Sequence, residues 1–214
     1  MKLINKQNIF HKLFFLIVAF IVIFLSINAN ASYNEVKQEV EKTTNQYIKN
    51  SILIGEGELK FFGRKIYDIF LYSNNEFNNQ NRFNQSSANL AITEYSELAI
   101  AIKYNQNFSK KFLVEKTVDE ILRFKSLTQQ QKLEYKLAFN RTFQDIKKGD
   151  IKIALKIDSN NLLIFHNSKF IEKINNPLII KDFMEIWLGK KARFPDLRDK
   201  LIGKINFQNN ILTK

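Results

Sequence analysis

The chain has 214 residues, 45% of them apolar and 13% aromatic, with no cysteine and a formal net charge of +12. A disulfide framework, a thiol nucleophile and a cysteine metal site are therefore excluded, and stability has to come from packing, for which a chain of this length can bury one good core. The basic pairs Lys110-Lys111, Lys147-Lys148 and Lys190-Lys191 lie far apart and among acids, which argues against nucleic acid as a partner and leaves a weak peripheral attraction to anionic membrane surfaces.

Residues 1–31 read as a cleavable export signal. Lys2, Lys6 and Lys12 precede an apolar run from Leu13 to about Ile27, and Ala29-Asn30-Ala31 supplies a small-x-small site that places cleavage between Ala31 and Ser32. The alternative is an uncleaved anchor, against which the run is shorter than the roughly 20 residues that span a hydrocarbon core. Removal of this segment leaves 30 basic and 21 acidic residues, a charge of +9.

After it, Val36, Val40 and Tyr47 stand at helical spacing in a charged segment and predict an exposed, peripheral helix before the main domain. From Ser51 to Tyr72 the pattern turns to short β-type runs punctuated by Gly55, Gly57 and Gly63, read as paired strands with turns or bulges. Ser73 to Asn89 is polar and without period, a long loop. Leu98, Ile100, Ile102 and Tyr104 alternate as a half-buried strand, and Ser109 then caps a helix with Val114, Val118, Ile121 and Leu122 on one face. Thr128 and Gln131 have capping-box spacing for a second helix, which ends before Gly149-Asp150. Three runs, Ile151–Ile157, Leu162–His166 and Lys169–Ile174, form an antiparallel meander. Pro177 and Pro195 open the last two helices, stopped by Gly189 and Gly203. The fold class is α+β, a mostly antiparallel sheet with a layer of helices on one face.

Self-sufficient catalytic motifs are missing. His166, on a strand with Leu162 and Ile164, lacks the partners of a zinc or histidine-base site. The Gly-x-Gly at Gly55 leads into a strand and no helix N-terminus, so it is no phosphate cradle. No Gly-x-Ser-x-Gly elbow occurs. Glu115, Asp119 and Glu120 are accounted for as surface helix charge. No cofactor and no metal is expected.

An ordered set of short motifs carries more information than any one of them. Gly55-Glu56-Gly57-Glu58-Leu59, Phe62-Gly63, Ile66-Tyr67-Asp68-Ile69 and Leu71-Tyr72 are followed by Phe108-Ser109 and Lys148-Gly149-Asp150. Then come Phe165-His166-Asn167, Ile186-Trp187-Leu188-Gly189, Leu197-Arg198 and Leu201-Ile202-Gly203. Over roughly residues 50–204 this resembles the bacterial chalcone isomerase-like proteins, and the resemblance implies an open-faced β-sandwich with a ligand cleft between sheet and helices. It also points to a bacterial periplasm. The organisation expected is thus a signal over 1–31, a helical lead-in over 32–49, a chalcone isomerase-like domain over 50–204 and a tail over 205–214.

Relatives of this kind include isomerases that close a flavanone ring and non-catalytic members that bind fatty acids. Ring closure needs a cation beside a phenolate and hydroxyl groups that polarise a ketone. The motifs place the isomerase tyrosine at Phe108, its helix asparagine near Glu115 and its late hydroxyl residue at Ile180, and leave its first-strand arginine without a counterpart between Gly57 and Gly63. These departures favour a non-catalytic protein that binds a fatty acid or other elongated apolar molecule, with Arg64, Tyr67, Tyr104 and Arg141 as candidate anchors for its head group. Phe183 and Trp187 are assigned to the core. An isomerase or intramolecular lyase with a different site, and a periplasmic interaction or scaffold module, remain as alternatives.

Overall fold

The computed structural model describes residues 33–74 and 97–203. The export signal, its Ala31-Ser32 site, the greater part of the polar loop and the tail over 205–214 lie outside the described residues. The chain divides into two compact units, Met1–Glu39 and Val40–Lys214. In the first, residues 33–39 are helical and Lys37 Nζ lies 4.7 Å from the Tyr33 ring centroid. The rest concerns the second.

Six strands form one antiparallel sheet in chain order, β1 (Ile52–Phe61), β2 (Arg64–Ser73), β3 (Leu98–Tyr104), β4 (Ile151–Asp158), β5 (Asn161–His166) and β6 (Lys169–Ile174). Every neighbour is antiparallel, so register and alternation decide which side chains share a face. One face presents Ile69, Leu71, Ile100, Ile102 and Ile164, all buried in the main core. Four helices contribute to the same core: α1 (Lys110–Leu122), α2 (Gln129–Thr142), α3 (Pro177–Leu188) and α4 (Pro195–Leu201). This is the α+β arrangement expected from the sequence.

The helix ends form as their sequences dictate. Ser109 Oγ accepts from the Phe112 N–H, and Thr128 and Gln131 close a reciprocal capping box. Asn176 Oδ1 accepts from the amides of Leu178 and Ile179 ahead of Pro177. Each satisfies amides that the first helical turn leaves without carbonyl partners.

Two expectations change. The lead-in over 40–49 is not peripheral: Val40, Thr43, Thr44 and Ile48 are buried, the Tyr47 ring packs 5.6 Å from Phe165, and Thr43 Oγ1 bonds Ser168 Oγ at 3.0 Å. Phe165 points away from the helix layer, being offset by one residue from Ile164, so these residues help to cover the sheet's other face. The strand Leu98–Tyr104 is accordingly buried on both sides rather than one. Ala99 and Ala101, which break the apolar-polar alternation only weakly, are fully buried there.

The Gly-x-Gly of β1 has a packing reason. A Cβ on Gly55 would fall on the carbonyl oxygens of Lys200 and Leu201, and one on Gly57 would fall on the Leu197 side chain. The two glycines let α4 lie directly against β1, next to the bulge between Leu53 and Gly55.

Candidate functional site

Leu59, Tyr67 and Tyr104 stand side by side across β1, β2 and β3 on the helix-covered face. The Tyr67 and Tyr104 rings meet edge to face at 6.3 Å, Tyr104 meets Phe108 at 5.8 Å, and Phe108 stacks on Phe112 at 5.4 Å. From the opposite layer α3 brings Trp187, whose indole Nε1–H donates to Tyr67 Oη at 3.2 Å. Phe183, one turn earlier, packs edge-on against the Trp187 ring at 5.2 Å. An aromatic, partly open wall therefore surrounds two phenol groups where the sheet meets α1 and α3.

The hydroxyls are the polar content of this wall. Tyr67 accepts from Trp187, leaving its own proton available. Tyr104 is 9% exposed, and its hydroxyl has no hydrogen-bond partner among the described residues. Burial pushes the Tyr67 hydroxyl up to about 12, the Trp187 hydrogen bond works against this, and the Glu120 carboxylate adds to it. Tyr104 is pushed up further, by burial first and then by Tyr67. Both are thus neutral donors throughout the physiological range, suited to a carbonyl or carboxyl oxygen.

Glu120 is held on the rim by two cations. Arg123 Nε bonds it at 3.0 Å from the same helix, and Arg193 Nη2 at 2.7 Å from the segment before α4. The arginines are spent on that carboxylate.

The four candidate anchors do not converge. Tyr67 and Tyr104 are brought together, whereas Arg64 is exposed at the start of β2 beside the β1–β2 turn. Arg141, in the last turn of α2, lines a separate surface groove of about 650 Å³ with Leu137 and Leu178. The place on β1 beside Tyr67 is held by Leu59. Of the positions that resemblance assigns to ring closure, Phe108 lies in the aromatic wall without a hydroxyl, Glu115 is exposed and lines a second groove, and Ile180 is fully buried in the core. Phe183 is core as expected; Trp187 is part of the wall, with its N–H turned to Tyr67.

Sequence reasoning also missed a buried polar link under the helices. Asp182 of α3, 5% exposed, accepts from the Tyr135 hydroxyl of α2 and from Lys125 Nζ at 2.6 Å. His166 Nε2 lies 2.9 Å from Asp150 Oδ2, a local pair that ties the start of β4 to the end of β5. No group of three or more acidic or histidine side chains able to hold a metal occurs among the described residues.

Comparison with known proteins agrees with this architecture. A family model described as chalcone isomerase-like matches residues 32–203. Among solved structures, a fatty-acid-binding protein of Arabidopsis thaliana superposes with a TM-score of 0.53 at 11% identity, covering 73% of this chain and 88% of that one. At such identity the likeness is one of fold. No curated protein matches the chain.

Proposed function

Because the chain belongs to the chalcone isomerase-like family, we propose that it is an exported, non-catalytic binding protein for a fatty acid or another elongated apolar molecule. The tail lies along the apolar wall between β1–β3 and the helices α1 and α3, and the head reaches the Tyr67 and Tyr104 hydroxyls. One observation carries this reading. The Tyr104 hydroxyl, on a residue 9% exposed, has no hydrogen-bond partner among the described residues and stands beside the Tyr67 hydroxyl, so two phenol donors are available to one bound acceptor. The likeness of fold to a fatty-acid-binding protein supports the ligand class. Phe108 in place of a tyrosine, Glu115 in place of an asparagine and Ile180 in the core support the non-catalytic part.

The test is extraction of the protein purified from its host, with mass spectrometry of what co-purifies, then titration of a fatty-acid and fatty-ester panel. Tyr104→Phe should lower affinity by up to about tenfold, the worth of one hydrogen bond, while leaving thermal stability nearly unchanged because no hydrogen bond within the protein is lost. Unchanged affinity in Tyr104→Phe together with Tyr67→Phe, or no binding from the panel, refutes the assignment. Conversion of a 2′-hydroxychalcone to its flavanone would refute the non-catalytic part alone.

A further inference from the structure

One edge of the sheet gathers the turns β1–β2, β3–α1, α2–β4 and β5–β6. Hydrogen bonds knit them into a continuous surface: Asn105 N to Ile66 O at 2.8 Å, Lys148 N to Asn107 Oδ1 at 2.7 Å, Gly149 N to Tyr104 O at 2.8 Å and Asn167 N to Ile151 O at 2.8 Å. At one end of this edge stands the two-residue turn Phe62-Gly63. Phe61 is 60% exposed and Phe62 90% exposed, the two rings touching at 4.5 Å. Phe112, 42% exposed in the first turn of α1, stacks on Phe108 at the β3–α1 turn.

Phe62 is unfavourable here on two separate counts. Its φ of 47° and that of Gly63, 73°, are the left-handed pair that a two-residue hairpin turn requires. Asn, Asp or Gly adopt that conformation readily at the first position; a bulky aromatic does not. The side chain, once there, buries almost nothing.

The charge of the same edge is one-sided. Apart from the exposed Glu115, one turn along α1 from Lys111, its acids are held internally: Asp145 by the Lys110 amide, Asp150 by the Lys147 amide, Asp68 by Lys65 and Asn105, and Glu58 by Lys60 and Lys65. Arg64, Lys111, Lys147, Lys148 and Lys169 are exposed and form no ion pair among the described residues. Two of the basic pairs that are scattered along the sequence, Lys110-Lys111 and Lys147-Lys148, thus come to the same end of the sheet as the exposed Phe61 and Phe62 rings.

We infer that this edge docks on an anionic lipid bilayer, with Phe61 and Phe62 entering the interface and the surrounding lysines and Arg64 facing the lipid phosphates. Aromatic rings partition to the interfacial region, and each lysine near an anionic surface adds attraction that falls off within a Debye length. The inference stands on the edge alone and does not depend on the ligand proposed above.

The experiment uses the protein as its host makes it, carrying Phe62→Trp, with vesicles of phosphatidylglycerol brominated on the acyl chains. The new indole is expected to be quenched by the bromines and shielded from aqueous iodide. Lys147→Glu with Lys148→Glu should then require at least about twenty-fold more lipid for the same quenching, whereas Lys49→Glu with Lys173→Glu, the same charge change at the opposite end of the sheet, should not. Read as the difference from the natural chain, whose one tryptophan is Trp187, the signal reports residue 62 and hence this edge, whether or not residues 1–31 also reach the membrane. An indole open to iodide and untouched by bromine overturns the inference, as does equal quenching on pure phosphatidylcholine or capture of the edge by nucleic acid in preference to vesicles. Phe62→Asn should raise Tm, since asparagine suits the turn; a fall would mean that Phe62 packs within the protein, and would overturn it too.

Discussion

Lys152→Met should stabilise this protein at neutral pH and abolish a rise in stability that the natural chain should show in mild alkali. Lys152 is 7% exposed on the helix-covered face of β4, with Nζ 2.8 Å from Gln144 Oε1, 3.4 Å from the Thr142 carbonyl and 5.3 Å from the Phe143 ring centroid. Burial lowers its ammonium from 10.5 to about 8; Asp150 opposes the fall and Lys110 adds to it. At about 1.4 kcal/mol per pH unit, the charged form in the fold is disfavoured by about 3 kcal/mol relative to the unfolded chain. The sign follows from proton counting. Between about pH 8 and 10.5 the unfolded chain binds the extra proton, so stability rises with pH across that window and the penalty is fully present below it. By about pH 9.5 the natural protein should have recovered about 2 kcal/mol relative to the variant. At pH 7 the variant should be ahead by about 1–2 kcal/mol, after subtracting the two hydrogen bonds it loses. Tyr67, Tyr72, Tyr104 and Tyr135, all raised by burial, lower stability only above about pH 10, and do so equally in both proteins. Urea unfolding followed by Trp187 emission at pH 7 and 9.5 measures the difference. Parallel profiles, or a variant less stable at pH 7, would refute the reasoning.

Gly55→Ala should cost about 1–3 kcal/mol, because the new methyl meets the Lys200 and Leu201 carbonyls and forces α4 off β1; Gly57→Ala, which meets only the Leu197 side chain, should cost less, and the ratio of the two is read from denaturant midpoints. Asp182→Ala should cost about 2–3 kcal/mol by leaving the Tyr135 hydroxyl buried without its acceptor, and Tyr135→Phe made in that background should restore part of the loss in the same unfolding assay.

Much of the fold is legible because local signals and tertiary demands coincide. The capping box at Thr128, the prolines that open α3 and α4, and the alternating run Ile151–Ile157 each fix an element by local chemistry within a few residues. The helix before β1 was misjudged for the opposite reason. Its charged residues describe the side that faces water, while Val40, Thr43, Thr44 and Ile48 are buried against a sheet face whose exposure the sequence could not reveal. Two threonines in that contact carry no apolar signal at all. In β3, alanines between large residues look like the polar half of an alternation, although they complete a second buried face.

The site is legible in part, and the division has a physical cause. Tyr67 and Tyr104 are separate candidates in the sequence, and antiparallel register makes them neighbours. Nothing local to either residue says that Trp187 will hydrogen-bond the first, 120 positions away, or that Glu120 will be neutralised by Arg123 and Arg193. Those contacts decide the electrostatic character of the wall. Arg64 and Arg141 are as basic in the sequence as any anchor should be, yet the fold sends one to a turn and the other to a separate groove. What faces a head group beside Leu59 is therefore a pair of neutral hydroxyl donors rather than a cation. Under the function proposed above, the ligand's head would be selected by hydrogen-bond acceptance, and the cations of Arg64 and its neighbouring turns would be left for the opposite task of meeting the anionic surface inferred for that edge.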